Sequence, residues 1–318
     1  MVRYVIRRLM QGVLVILLVS VLVFLFMRLL PGDPLVLYLA QSQVGNLSSE
    51  DMAAYRHQFG LDRSLPIQYM VWIGQVFRGD LGKSIFFNQS VLSLVSERLP
   101  ITLCYGFVAA IMGSLLGIVF GVICALRRGM WLDTLITLLA NIGITLPSFW
   151  VGVMLIYLLS FKLGWLPVAG FTSRFESIWV SARQLIMPIF CLALFPLSAI
   201  ARQTRSSMLE VIRQDYVRTA WAKGLRERII VGRHIIKNAM IPVVTALGIQ
   251  VGYIFGGSVI IETVFNIPGV GRLLAVSLFS QDFQVVQAII LVISLVVVLS
   301  NLLVDIIYGC LDPRIRYD

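Results

Sequence analysis

Six stretches of this chain are predominantly apolar over 17 to 28 residues, at 9–30, 101–126, 134–161, 185–201, 241–264 and 285–308. A helix that crosses a bilayer needs about 20 such residues. Of the 318 residues, 58% are hydrophobic and only 13% charged. An ordinary soluble domain carries about 25% charged residues, so this much apolar surface needs a bilayer as solvent. The spacing predicts six spanning helices and an all-α membrane protein. Pro147 should kink the third span, and Pro188 and Pro196 fall inside the fourth. The first run exceeds the 7–15 apolar residues of a secretory signal, and no small-residue cleavage site follows it, so it reads as an uncleaved span.

Orientation follows from lysine and arginine, which favour the cytosolic side of short loops. With the N-terminus inside, segments facing the cytosol hold 16 basic residues and outside segments hold 9. Nine of the inside residues lie in the loop 202–240, and the tail adds Arg314 and Arg316. The long outside loop 31–100 balances five basic against six acidic side chains. It should form a small cap, with helices around 49–58 and 67–77. The net charge of +10 is explained by this asymmetry, with no nucleic acid as partner. Four cysteines without close spacing and two histidines, His57 and His234, suggest buried free thiols and no metal site. No cofactor is expected.

The loop 202–240 carries the most information. Between Ser206 and Lys223 there is neither proline nor glycine, and Met208, Leu209, Ile212, Tyr216 and Ala220 recur at helical spacing. One helix over 206–223 is therefore expected, stopped by Gly224, with a second over 226–239 before Pro242. Two helices joined at a glycine form an elbow beneath the membrane. The same pattern would suit a basic amphipathic helix on anionic lipid.

The string Arg218-Thr219-Ala220 followed by Gly224 resembles the cytoplasmic EAA loop of ATP-binding-cassette importer permeases. SSMLEVIRQDYVRTAWAKGL is similar to the dipeptide, oligopeptide and nickel branch of that family. Further strings of that branch follow in order: LLPGDP, FGLDRSLPIQY, GDLGKS, ERLPITL, LPSFW, LGWLPVAG, GGSVIIETVFNIPGVGRL and VDIIYGCLDPRIRY. Two positions depart from the family pattern: Arg218 stands where a glutamate is usual, and Lys237 where many relatives carry proline.

The resemblance implies the type I ABC importer fold. It divides the chain into a first span at 1–30, an extracytoplasmic loop domain at 31–100, a five-span core at 101–309 and a cytosolic tail at 310–318. It implies a non-catalytic permease of the bacterial inner membrane, with both termini cytosolic, that moves peptides or related solutes by alternating access. It implies a second homologous permease, two ATPase subunits and an extracytoplasmic solute-binding protein as partners, besides membrane lipid. Glu210, Asp215, Tyr216, Ala220, Lys223 and Gly224 become the candidates for coupling to the ATPase.

Other features are open to two readings. Asn141, Thr145, Ser148, Gln250 and Ser258 are polar groups within spans and candidates for lining a pore, although bonds between helices would account for them equally. Glu262 reads as a structural anchor. The glycine stripes Gly113/Gly117/Gly121 and Gly248/Gly252/Gly256 suit close packing or a sliding seam. Gly82-Lys83-Ser84 imitates the end of a phosphate-binding loop but lacks its first glycine, since position 77 is Phe77. A secondary transporter or channel acting without an ATPase is the alternative, and neither internal repeats nor mid-membrane acids favour it.

Overall fold

The computed structural model describes residues 2–29, 62–170 and 178–311. The helix expected over 49–58, most of the LLPGDP stop and the tail arginines lie outside the described residues. Among the described residues the chain is helical. α1 (Val2–Leu29) is followed by α2 (Leu65–Phe77), α3 (Val91–Leu126), α4 (Trp131–Thr145) and α5 (Ser148–Leu155), which continues as a π-helical turn over Ile156–Lys162. Then come α6 (Ile178–Ile212), α7 (Asp215–Ala222) and α8 (Glu227–Ile229) with a second π-helical stretch, Ile230–Ile236. α9 (Lys237–Val264), α10 (Val270–Phe279) and α11 (Phe283–Leu311) complete the order.

Five of these helices are long and apolar enough to cross a membrane, and the pair α4–α5 makes a sixth if taken as one broken span. That pair corrects the third expectation. Pro147 does not kink a continuous helix; the chain turns by 104° there. Leu146 is extended, as a residue before proline tends to be, and Pro147 is extended too, so α5 starts anew at Ser148. Pro100, Pro188, Pro196 and Pro242 instead sit inside continuous helices. α3 starts at Val91, ten residues before the expected apolar run. Its first turns bury Val91, Leu94 and Val95 against Val270, Leu273, Val285 and Ile289 of α10 and α11.

The first glycine stripe is a packing seam. An added Cβ at Gly113 would lie 2.8 Å from the Ala193 carbonyl oxygen, at Gly117 2.7 Å from that of Leu197, and at Gly121 2.6 Å from that of Ala201. α3 and α6 thus touch backbone to backbone along three turns, the close approach that small residues permit in membranes. The second stripe behaves differently. Gly248 packs on Val304, but no described residue comes within 4 Å of an added Cβ at Gly252 or Gly256. Cys124 and Cys191 are buried free thiols as expected, whereas Cys104 is exposed.

Among the described residues, two ion pairs tie one helix to another. Arg205 of α6 grips Asp133 at the start of α4 through two bonds of 2.7 and 2.9 Å. The Gly129 N–H donates to the same carboxylate at 3.0 Å. Asp133 is buried, so removing Arg205 would strand its charge. Arg8 and Asp305 meet at 3.2 Å and join α1 to α11.

Candidate coupling elbow and buried carboxylate cluster

The elbow is built differently from the sequence expectation. No single helix spans 206–223. α6 runs on from the membrane to Ile212, and the chain then turns at Arg213–Gln214, where Arg213 N–H donates to the Glu210 carbonyl and Gln214 is extended. Nothing in the local sequence marks this break. Burial decides it, because the turn lets the short helix α7 fold back and place Val217 and Ala220 in a closed cluster. Their neighbours there are Ala125 at the end of α3, Met208 of α6, Ile230 and Ile235 of the π-helical stretch, and Ala239 of α9. The second expected helix, 226–239, does not end before Pro242. It passes through a π-helical turn directly into α9.

Gly224 does close α7. Its φ is +69°, and its N–H donates to the Trp221 carbonyl at 2.9 Å. An added Cβ there would meet nothing within 4 Å, so the requirement for glycine is conformational. Lys223 caps the helix. Tyr216 and Trp221 flank the buried pair and are each about half exposed. Asp215 and Arg218 point outward as a solvent-exposed pair at 3.6 Å, which contributes little to stability. Glu210 lies apart from them on α6, where with Ser206, Leu209, Arg213 and Gln214 it lines a shallow hollow of about 390 Å³.

The six coupling candidates therefore divide. Ala220 is an internal packing residue, Gly224 sets the turn, and Asp215, Tyr216, Lys223 and Glu210 are exposed. Trp221 was not among the candidates. Its signal was a tryptophan in an otherwise basic loop. Asp133 and Arg205 were missed too, since residues 72 apart in sequence give no local sign of pairing.

A second cluster forms at the far end of α9. Glu262 is fully buried. One of its carboxylate oxygens accepts from Thr102 Oγ1 and Tyr105 OH of α3, each at 2.6 Å, and the other from Arg272 N–H at 2.7 Å. Thr102 in turn accepts from Val270 N–H at 2.9 Å. The carboxylate thus satisfies the first turn of α10, where helix N–H groups lack internal partners. The glycines of Pro268-Gly269-Val270-Gly271 serve this contact. A Cβ at Gly269 would collide with the Glu262 carboxylate, and one at Gly271 with the Val259 backbone. Nearby, the Asp282 carboxylate accepts from Ser84 Oγ at 2.5 Å and Phe86 N–H at 3.1 Å. Ser84 of the phosphate-loop look-alike therefore docks the segment between α2 and α3 onto the start of α11.

The pore candidates do not share one surface. Asn141 and Thr145 are exposed on α4, and Ser148 is half-buried at the start of α5. Gln250 and Ser258 are buried within the subunit, and Ser258 Oγ donates to the Phe255 carbonyl at 2.8 Å.

Comparison with known proteins agrees with this geometry. The family of binding-protein-dependent transport system inner membrane components matches residues 117–317, and the N-terminal part described for those components matches residues 1–106. A protein of Brucella abortus (strain 2308) named as a peptide transport system permease is 40% identical over 314 residues, 99% of each chain. The oligopeptide transport system permease protein AppB of Bacillus subtilis is 38% identical over 320 residues, all of both chains. Among solved structures, the inward-facing MetNI methionine ABC transporter superposes with a TM-score of 0.58 at 20% identity. That superposition covers 70% of this chain and 97% of the other, a likeness of fold.

Proposed function

Because this chain belongs to the binding-protein-dependent transport system inner membrane components, we propose that its elbow is the surface through which ATP hydrolysis elsewhere moves its spans. The chain is the permease subunit of an ATP-driven importer, and hydrolysis belongs to a separate partner. We infer further that the solute is a peptide or a related small molecule, a reading supported by the names its relatives carry. The working assembly in this reading pairs the chain with a second, homologous permease, two ATPase subunits and an extracytoplasmic binding protein. It sits in the bacterial inner membrane with both termini in the cytosol.

One observation carries the coupling reading over a helix resting on lipid. A lipid-bound amphipathic helix needs a free apolar face. In α7 that face is already filled, with Val217 wholly buried and Ala220 5% exposed among the subunit's own helices. What remains outward is polar, rimmed by two half-exposed aromatic rings. Because the same cluster holds the ends of α3, α6 and α9, a push on α7 is delivered to three spans at once. Asn141 and Thr145 on the open side of α4 remain the candidates for the solute path, and alternating access is the mechanism.

The test is transport together with ATPase activity in the reconstituted complex. Tyr216→Ala with Trp221→Ala leaves the buried pair untouched and should lower transport at least tenfold while the subunit still inserts. Gly224→Val forces a β-branched residue to positive φ, at about 1–2 kcal/mol, and should uncouple hydrolysis from transport. Wild-type transport in both variants would sink the coupling assignment. Orientation has its own check. A cysteine at Asn88 should react with an impermeant maleimide on intact cells, and one at Arg213 only after lysis. Labelling at Arg213 but not at Asn88 on intact cells would reverse the proposed topology.

A further inference from the structure

The short helix α2 falls in the loop expected to form an extracytoplasmic cap, yet it has an unusual composition for one. Its thirteen residues, LPIQYMVWIGQVF, carry no charge, and among the described residues none of them is buried. Isolated helices of this length are marginal in water, so an uncharged one with no buried side chain needs an apolar surrounding.

Three faces can be read from its contacts. One faces α1. Tyr69 OH and Ser20 Oγ share a hydrogen bond of 2.7 Å, and the Phe24 ring lies 5.5 Å from that of Tyr69 and 5.8 Å from that of Trp72. A second edge carries the two amides, Gln68 and Gln75, seven residues apart and so aligned two helical turns on. The third holds Ile67, Met70, Val71, Gly74 and Phe77. Met70 is 69% and Phe77 86% exposed, and an added Cβ at Gly74 would meet nothing within 4 Å.

The contact with α1 sets the depth. α1 and α11 run antiparallel, with Arg8 against Asp305 at one end and Val23 and Met27 packed with Val286 near the other. The span Ile6–Leu29 has 24 residues, or about 36 Å at 1.5 Å per residue. The hydrocarbon layer is about 30 Å thick. Ser20 lies nine residues, roughly 14 Å, below Leu29. Even if all the excess length projects from the outer end, Ser20 sits roughly 8 Å inside hydrocarbon. A helix whose tyrosine reaches Ser20 therefore lies in the outer leaflet and not above it. α1 likewise exposes apolar side chains near this level, Leu22, Leu25 and Phe26. Arg63 and Arg78 flank its two ends, where long basic side chains can reach up to the headgroup level.

We propose that α2 is an interfacial helix of the outer leaflet, its face of Ile67, Met70, Val71 and Phe77 covered by lipid acyl chains. It fastens the chain ahead of α3 to the membrane. The proposal rests on the membrane reading of α1 and, for the choice of leaflet, on the proposed cytosolic N-terminus. The experiment uses spin labels in the full complex in phosphatidylethanolamine–phosphatidylglycerol vesicles, on a background with the native cysteines replaced. Labels stand at Met70→Cys, at Leu14→Cys as a mid-span lipid reference, and at Asn88→Cys as a water reference. Molecular oxygen reports lipid, and a soluble nickel chelate reports water. At Met70 oxygen collisions should exceed nickel collisions several-fold, as at Leu14 and opposite to Asn88. Nickel-dominated collisions at Met70 would mean a soluble cap, and weak collisions with both would mean a protein neighbour. Either overturns the proposal. If Leu14 also favours nickel, the membrane reading itself fails, and the proposal with it.

Discussion

Gly117→Leu is expected to prevent accumulation of a folded subunit. An added Cβ at this position would already lie 2.7 Å from the Leu197 carbonyl oxygen and 2.9 Å from Ile200 Cβ. Neither atom is the tip of a flexible side chain. Making room would mean prising α6 away from α3, and Gly113 and Gly121 hold the same helix at equally short range. Overpacking a well-filled site costs about 1–3 kcal/mol even when neighbours can shift, and here backbone must move. Lipid supplies no hydrophobic force between helices to offset the loss. Gly252→Leu is the matched control, because nothing lies within 4 Å of its added Cβ. Thermal unfolding in detergent should show the first variant aggregated or melting at least 10 °C lower, and the second close to wild type. Equal melting of Gly117→Leu and wild type would show that the seam can open without cost.

The second large effect is expected at Glu262. Removing its carboxylate as Glu262→Ala leaves Thr102, Tyr105 and the Arg272 N–H without their acceptor in a sealed site. Each stranded group costs about 1–3 kcal/mol, so the first turn of α10 should come loose from α3 and α9. Glu262→Gln keeps the volume and one oxygen to face the Arg272 N–H, while the hydroxyls can turn to accept from its amide. The expected order of stability is wild type, then glutamine, then alanine. The alanine variant should also expose a cysteine placed at Val270, which is wholly buried. Wild-type melting and an unreactive cysteine at Val270 in Glu262→Ala would remove the carboxylate from its role as the fastening of α10.

The number and order of the spans were legible in the sequence, because hydropathy summed over some twenty residues is insensitive to any one of them. Pro147 announced a disturbance, but not its size. Proline inside a helix is a local signal, and four others are absorbed in continuous helices. A turn of 104° follows at Pro147 because both it and Leu146 are extended.

In the elbow, Gly224 was readable as a stop, since positive φ selects glycine whatever surrounds it. The break at Arg213–Gln214 was not readable. Helix propensity through that stretch is unbroken, and only the burial of Val217 and Ala220 against α3, the π-helical stretch and α9 bends the chain. Ala220 therefore moved from a candidate contact to an internal one.

The polar bonds between distant segments were the least visible of all. Glu262 meets Thr102 160 residues away, Asp282 meets Ser84 across 198, and Arg205 meets Asp133 across 72. Local sequence determined which segments enter the bilayer and where backbone needs glycine, because those depend on each segment's own solvation and sterics. Tertiary structure alone decided which buried charge finds which donor. That choice depends on the final separation of helices, and no segment carries it by itself.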